Sequence, residues 1–189
     1  MKRSTFLASF TAALALTLIG CSRQDAPAAA ASSPLEAVTA QGKGFTVGAI
    51  MSAATVYVLF DPQCPHCGHL WEASLPLHKK AKFVWIPVSL GSPKSLPQGA
   101  TLLSAANPAE TMAEHEKSLL AGQGGIAASA SVSTDMEAAI KKNTQLLNSL
   151  GADSVPYVVA KNQRTGQVQA KAGAMSTAAL ADFVGIDAQ

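Results

Sequence analysis

An uncharged run of six residues, Thr55-Val56-Tyr57-Val58-Leu59-Phe60, leads straight into Asp61-Pro62-Gln63-Cys64-Pro65-His66-Cys67-Gly68-His69-Leu70-Trp71. A continuous β-branched and aromatic stretch of this length reads as a strand buried on both faces. Pro65 suits the first turn of a helix, where its missing N–H has no partner to lose. The helix is expected to reach about residue 77, with Pro76 kinking or ending it. A strand that delivers Cys-x-x-Cys to a helix N-terminus sets the first sulfur beside unpaired N–H groups and the positive helix end. A thiolate is stabilised there, and such cysteines have pKa values of roughly 3.5–7.5 instead of about 8.5. His66 adds a cation or donor to the same sulfur. Cys67, one turn in, can close a disulfide with Cys64 while facing the helix interior. Cys64 is therefore expected to be nucleophile and leaving group, and Cys67 to resolve the mixed disulfide.

The flanking chain supplies the rest of a sheet. Phe45–Gly48 reads as a short strand and residues 83–88 as a second buried one, with Pro87 at its end or at an edge. Residues 93–150 read as helical. One helix spans Pro108–Leu120, behind the cap-like Asn107 and ahead of glycines at 122, 124 and 125. Another starts at Thr134, where Thr134-x-x-Glu137 has capping-box spacing, and stops at Gly151. Met136, Ile140, Leu147 and Leu150 share one of its faces. Residues 155–159 then form a strand, 162–166 a turn and 168–172 the returning strand. Ser176 caps a last helix carrying Leu180, Phe183 and Val184. The order implies an α/β domain with a mixed sheet.

The chain of 189 residues also carries an N-terminal appendage. Lys2 and Arg3 precede an uncharged, largely apolar segment over 6–19. At about fourteen residues it is short for a membrane span, which needs about twenty, and it suits an export signal. Its end, Leu18-Ile19-Gly20-Cys21, resembles the lipobox of bacterial lipoproteins. That resemblance implies residues 1–20 as signal peptide, Cys21 as lipid anchor and, with Ser22 next, the outer membrane. Ordinary cleavage leaving Cys21 as a free thiol is the alternative. Residues 21–44, rich in Ala, Ser and Pro, read as a flexible tether, leaving 45–189 as the folded domain. Lys2 and Arg3 account for the whole basic excess, since 12 basic residues face 12 acidic ones from Cys21 onward. A net charge near zero gives no footprint for nucleic acid.

Taken together, these residues resemble the thioredoxin-fold disulfide oxidoreductases of the bacterial envelope, the Dsb proteins, and most closely the catalytic domain of the DsbC/DsbG branch. The marks are Phe60-Asp61-Pro62-x-Cys64-Pro65-His66-Cys67, Trp71, the helical insertion over about 93–150 and Val155-Pro156. The resemblance implies a thioredoxin-like fold with that insertion between the second strand and a hairpin led by cis-Pro156. It implies a redox-active Cys64–Cys67 disulfide with no other cofactor, roles for Pro65 and His66, and an extended substrate strand on the backbone of Val155 beside Pro156. Envelope proteins with cysteines are the implied substrates, and a membrane redox protein the implied partner. Three departures stand out. Residues 22–44 are too short and too poor in apolar side chains to build the branch's dimerisation domain, so a monomer is expected. Valine replaces threonine before the proline, which with Cys-Pro-His-Cys is the DsbA oxidase pattern. The buried acid of thioredoxin and DsbA, six residues before the first cysteine, falls at Val58. The direction of exchange leans toward oxidation, with isomerase and reductase left open.

Other readings compete. Cys64, Cys67, His66 and His69 offer soft ligands to zinc or copper(I) in a metal-binding envelope lipoprotein, although helix geometry points the two histidines apart. A static disulfide in a redox-inactive chaperone is a third reading. Asp61 reads as a turn former before Pro62, with proton transfer from Cys67 as the rival. His78, among lysines, reads as a solvated helix end, and His115, between Glu114 and Glu116, as a surface residue. Trp71 and Trp85 read as core, with a place bordering the site as the rival reading for Trp71. The glycines at 122–125 lack the Lys-Ser/Thr ending of a phosphate loop and read as a hinge.

Overall fold

The computed structural model describes residues 32–128 and 131–188. The expected export signal, Cys21 and the start of the expected tether lie outside them. Among the described residues five strands, β1 (Phe45–Gly48), β2 (Thr55–Phe60), β3 (Lys82–Pro87), β4 (Tyr157–Lys161) and β5 (Val168–Ala172), form one sheet in the order β1-β3-β2-β4-β5. Only the β2–β3 pair is parallel, with Val58 opposite Trp85; the other pairs are antiparallel. The helices are α1 (Pro34–Gln41), α2 (Pro65–Ser74), α3 (Ser95–Ser104), α4 (Pro108–Leu120), α5 (Thr134–Ser149) and α6 (Thr177–Val184). A 3-10 turn at Leu75–Leu77 holds Pro76 and ends the helical run that α2 begins.

Alternation along β2 divides the core in two. Val56, Val58 and Phe60 point to one face and join Phe83, Trp85, Leu70 and Trp71 of α2, Met112 of α4, and Leu180 and Val184 of α6. Leu59 points to the other, with Ile86, Val159, Leu146 and Leu147 of α5, and Ala37 and Val38 of α1. A strand covered on both sides has no polar face to show, hence the unbroken apolar run of the sequence.

Helix α1 corrects the tether expected over 21–44 in its second half, residues 34–41. Its start is a capping box: the Ser33 hydroxyl accepts from Glu36 N–H while the Glu36 carboxylate accepts from Ser33 N–H at 2.8 Å. Pro34 fills the first helical position, and Ala37 and Val38 are buried against the sheet. The link to β1 is fixed as well. Asn143 accepts from Lys43 N–H at 2.9 Å and donates to the carbonyls of Lys43 and Pro87. At Gly44 an added Cβ would lie 2.4 Å from the Trp85 carbonyl oxygen.

Other boundaries move little. Ser133, not Thr134, caps α5, accepting from Met136 N–H, and its buried face is Ile140, Asn143, Leu146 and Leu147. Met136 and Leu150 sit half-buried at its edges. Strand β4 starts two residues late because Val155–Pro156 forms the turn before it.

Candidate active site

The end of β2 and the start of α2 build the site. Asp61 closes the turn between them and is itself buried. Its Oδ1 accepts from Gln63 N–H at 2.8 Å and from the Ser95 hydroxyl at 2.5 Å, and its Oδ2 from Leu90 N–H at 2.7 Å. These three bonds give Asp61 the turn-forming role. Cys64 follows as the N-cap of α2 in an extended conformation, with Pro65 in the first turn. Its side chain makes no capping bond, which leaves the sulfur available.

Both cysteines are free thiols, Cys64 half-exposed and Cys67 buried. The Cys64 thiol is pulled down to about 6. The Cys67 side chain, which donates to it, is the main cause; partial burial opposes this, and the N–H groups of Cys67 and His66 and the His66 charge add to it. The order differs from the sequence-based expectation, which gave the helix end and His66 the leading part. Cys67 is pushed well above the ordinary thiol range, first by burial and then by its tie to Cys64. The pair is thus split into an accessible sulfur that ionises and an enclosed one that keeps its proton.

The insertion between β3 and β4 grips this turn from behind. His115, expected on the surface, is fully buried. Its Nδ1 accepts from Ile126 N–H at 3.2 Å, so Nε2 carries the proton and donates to the Pro62 carbonyl at 2.7 Å. Gln63 donates to Gln98 of α3 at 2.6 Å and to the Gly124 carbonyl at 3.0 Å. Gln98 donates in turn to the carbonyls of Gly124 and Ile126, both at 2.8 Å. The glycine-rich segment is therefore a clasp on the active-site turn and not a hinge.

Opposite Cys64 stands the turn before β4. The Val155–Pro156 peptide is cis, and the Cys64 thiol donates to the Val155 carbonyl across 3.5 Å. Pro65, His66 and His69 are exposed, with the two imidazoles 6.5 Å apart between centroids. Among the described residues, no three His, Cys, Asp or Glu side chains are placed to hold a metal ion. Trp71 is buried in the core, between Trp85 and His78, each 5.3 Å away. His78 is half-buried between Trp71 and Phe83, with Nε2 3.1 Å from the Ser74 hydroxyl; it is not a solvated helix end.

In the sequence Glu116 reads only as a polar flank of His115, and the structure corrects that reading. Glu116 is 1% exposed, and among the described residues neither carboxyl oxygen has a hydrogen-bond partner. The signal was there: Met112, Glu116 and Leu120 fall at four-residue steps on one stripe of α4.

The chain is 30% identical over 105 residues to the thiol:disulfide interchange protein DsbG of Escherichia coli, covering 54% of this chain and 42% of that one. To DsbG of Pseudomonas aeruginosa it is 29% identical over 136 residues, covering 69% and 50%. The chain thus spans about half the length of the curated relatives it matches. A periplasmic thioredoxin-like protein from Salmonella enterica serovar Typhimurium superposes with a TM-score of 0.63 at 18% identity, over 80% of this chain and 93% of that one. The fold is thioredoxin-like. No protein-family profile matches the chain.

Proposed function

We propose that this chain is a thiol–disulfide oxidoreductase of the bacterial envelope, exchanging disulfides with cysteine-bearing proteins through Cys64 and Cys67. The observation that carries this reading is the split pair: a half-exposed thiol pulled down to about 6 next to a buried one held protonated. Cys64 makes and breaks the mixed disulfide with the client, and Cys67 resolves it. The resemblance to the DsbG relatives supports the same chemistry.

Pro65 sets the first turn that holds Cys64 at the cap, and His66 adds positive charge beside it. The Val155 backbone, next to cis-Pro156, is suited to pair with an extended client segment as its cysteine reaches Cys64. The Cys64–Cys67 disulfide is the only redox group this needs. Stabilising the Cys64 thiolate stabilises the reduced protein, which makes its disulfide the stronger oxidant. Oxidation is therefore the direction we favour, with a membrane redox protein restoring the disulfide. Cys21 serves as the lipid anchor in this reading, and Ser22 places the protein at the outer membrane.

The test is exchange with a dithiol peptide and a reduced client protein. Cys64→Ser is expected to abolish turnover, and Cys67→Ser to accumulate the client as a mixed disulfide on Cys64. Full activity in Cys64→Ser would overturn the assignment. A glutathione redox titration decides direction: a potential near that of thioredoxin, about −270 mV, would favour a reductase, and one near that of DsbA, about −120 mV, an oxidase.

A further inference from the structure

Resolving a mixed disulfide requires Cys67 to lose a proton and, in reverse, to regain one, yet the sulfur is enclosed and its thiol disfavours ionisation. The strand position that resemblance associates with an acid holds Val58, which is 1% exposed and apolar. Asp61 is occupied by its three donors. One carboxyl group remains close by. Helix α4 packs across α2 and presents Glu116 to the backbone just after Cys67. A Cβ added at Gly68 would lie 2.7 Å from Glu116 Oε2 and 3.1 Å from the Leu120 side chain. The glycine is what lets the carboxyl group come this close.

The surroundings of Glu116 make no sense as a structural ion pair. A buried carboxyl group without partners is costly and is kept where it has work to do or stays neutral. The titratable groups reaching it from α2 are Cys64 and Glu72, with Cys67 feeling its charge in return. Helix α3 and strand β1, which also pack on α4, carry no charged residue. Burial first, then the negative charges of Cys64 and Glu72, push the carboxyl up to about 8.

We propose that Glu116 is the proton donor and acceptor for Cys67 in disulfide exchange, which rests on the function proposed above. In the oxidising direction a client thiolate attacks Cys64 Sγ. The client–Cys64 bond forms and the Cys64–Cys67 bond breaks. Its electron pair goes to Cys67, which takes the proton of the Glu116 carboxyl by way of one intervening water. A second client thiolate then attacks the client sulfur of the mixed disulfide and expels Cys64 as thiolate. The client loses two electrons, the cysteine pair gains them, and Glu116 recovers a proton from solvent. Reductive exchange runs the same steps backward, with Cys67 giving its proton through the same water to the Glu116 carboxylate as it attacks Cys64.

Two measurements on the full chain test this. The first is reduction of the Cys64–Cys67 disulfide by dithiothreitol, with rates divided by the fraction of reagent present as thiolate. The corrected wild-type rate is expected to fall as pH rises through the Glu116 titration. Without the Cys64 charge, that inflection lies below the value of the reduced protein. Glu116→Gln is expected to be about tenfold slower at neutral pH, the loss expected when general acid–base help is partly removed, and to lack the inflection. The second is redox-difference infrared spectroscopy of the wild type, in which a protonated carboxyl band should change with the state of the cysteines. This decides the matter even if Glu116→Gln fails to fold. A variant rate within twofold of wild type with the inflection kept, or no carboxyl band responding to oxidation, overturns the role of Glu116 alone. Failure of the wild type to exchange with the dithiol peptide overturns the function itself.

Discussion

His115 Nε2 donates to the Pro62 carbonyl across 2.7 Å, tying the buried face of α4 to the turn that carries Cys64. The Ile126 N–H on Nδ1 fixes the neutral tautomer, because a doubly protonated ring has no acceptor left for it. Burial accordingly pushes the imidazole below the usual histidine value. An unfolded chain binds the proton first, so stability is full above about pH 6.5 and is lost as pH falls toward the lowered native value. His78, also lowered by burial, adds to the same slope. Urea midpoints should drop between pH 7.5 and 5, and His115→Gln should flatten part of that drop. His115→Ala leaves the Pro62 carbonyl and Ile126 N–H unpaired and should cost about 1–3 kcal/mol.

How much of this was legible in the sequence differs from element to element. Strand β2 and the start of α2 were plain, because a doubly buried strand and a Cys-Pro turn each leave an unmistakable local pattern. Helix α1 was hidden by composition. Its neighbours are alanines and prolines that suggest a tether, while the Ser33-Pro34-x-Glu36 cap that nucleates it is only a few residues long. His115 and Glu116 were hidden by their flanks. Glu114 and Lys117 make the segment look solvated, and only the four-residue step from Met112 to Leu120 shows which side turns inward. What these two residues meet depends on where the insertion folds back, a long-range matter that no local pattern encodes.

Cys64 should react as an acid well before an ordinary thiol. Iodoacetamide modification of the reduced protein is expected to be half-maximal at about pH 6. The main cause is the hydrogen bond from Cys67, so Cys67→Ala should move the midpoint upward, toward the ordinary thiol range. The sign for stability follows from the lowered value. Reduced protein gains stability relative to the unfolded chain as pH rises from about 6 toward 9, and loses that gain as pH falls through the native value. An unchanged midpoint in Cys67→Ala would assign the shift to the helix end and His66 instead.

The cap of α1 and its buried face can be tested separately. Ser33→Ala removes half of the capping box and should cost about 1 kcal/mol in urea unfolding. Val38→Asp sets an unpaired charge against Leu59 and Val159 and should cost about 4 kcal/mol or more. Were α1 a loose appendage, neither change would move the midpoint.

Asp61 offers the sharpest contrast with Glu116, since one carboxyl group is fully hydrogen-bonded and the other, among the described residues, has no partner. Asp61 accepts two backbone N–H groups and a hydroxyl, and both of its oxygens are used. Asp61→Asn replaces one acceptor by a donor that must face a donor, either Leu90 N–H or the Gln63 and Ser95 pair. About 1–3 kcal/mol of stability should go with it. Because the carboxylate is committed to the turn, the Cys64 alkylation midpoint should stay near 6 in this variant. Urea unfolding and iodoacetamide kinetics on the same preparation check both halves. A variant that kept its stability but lost the pH dependence of exchange would transfer the proton to Asp61 and away from Glu116.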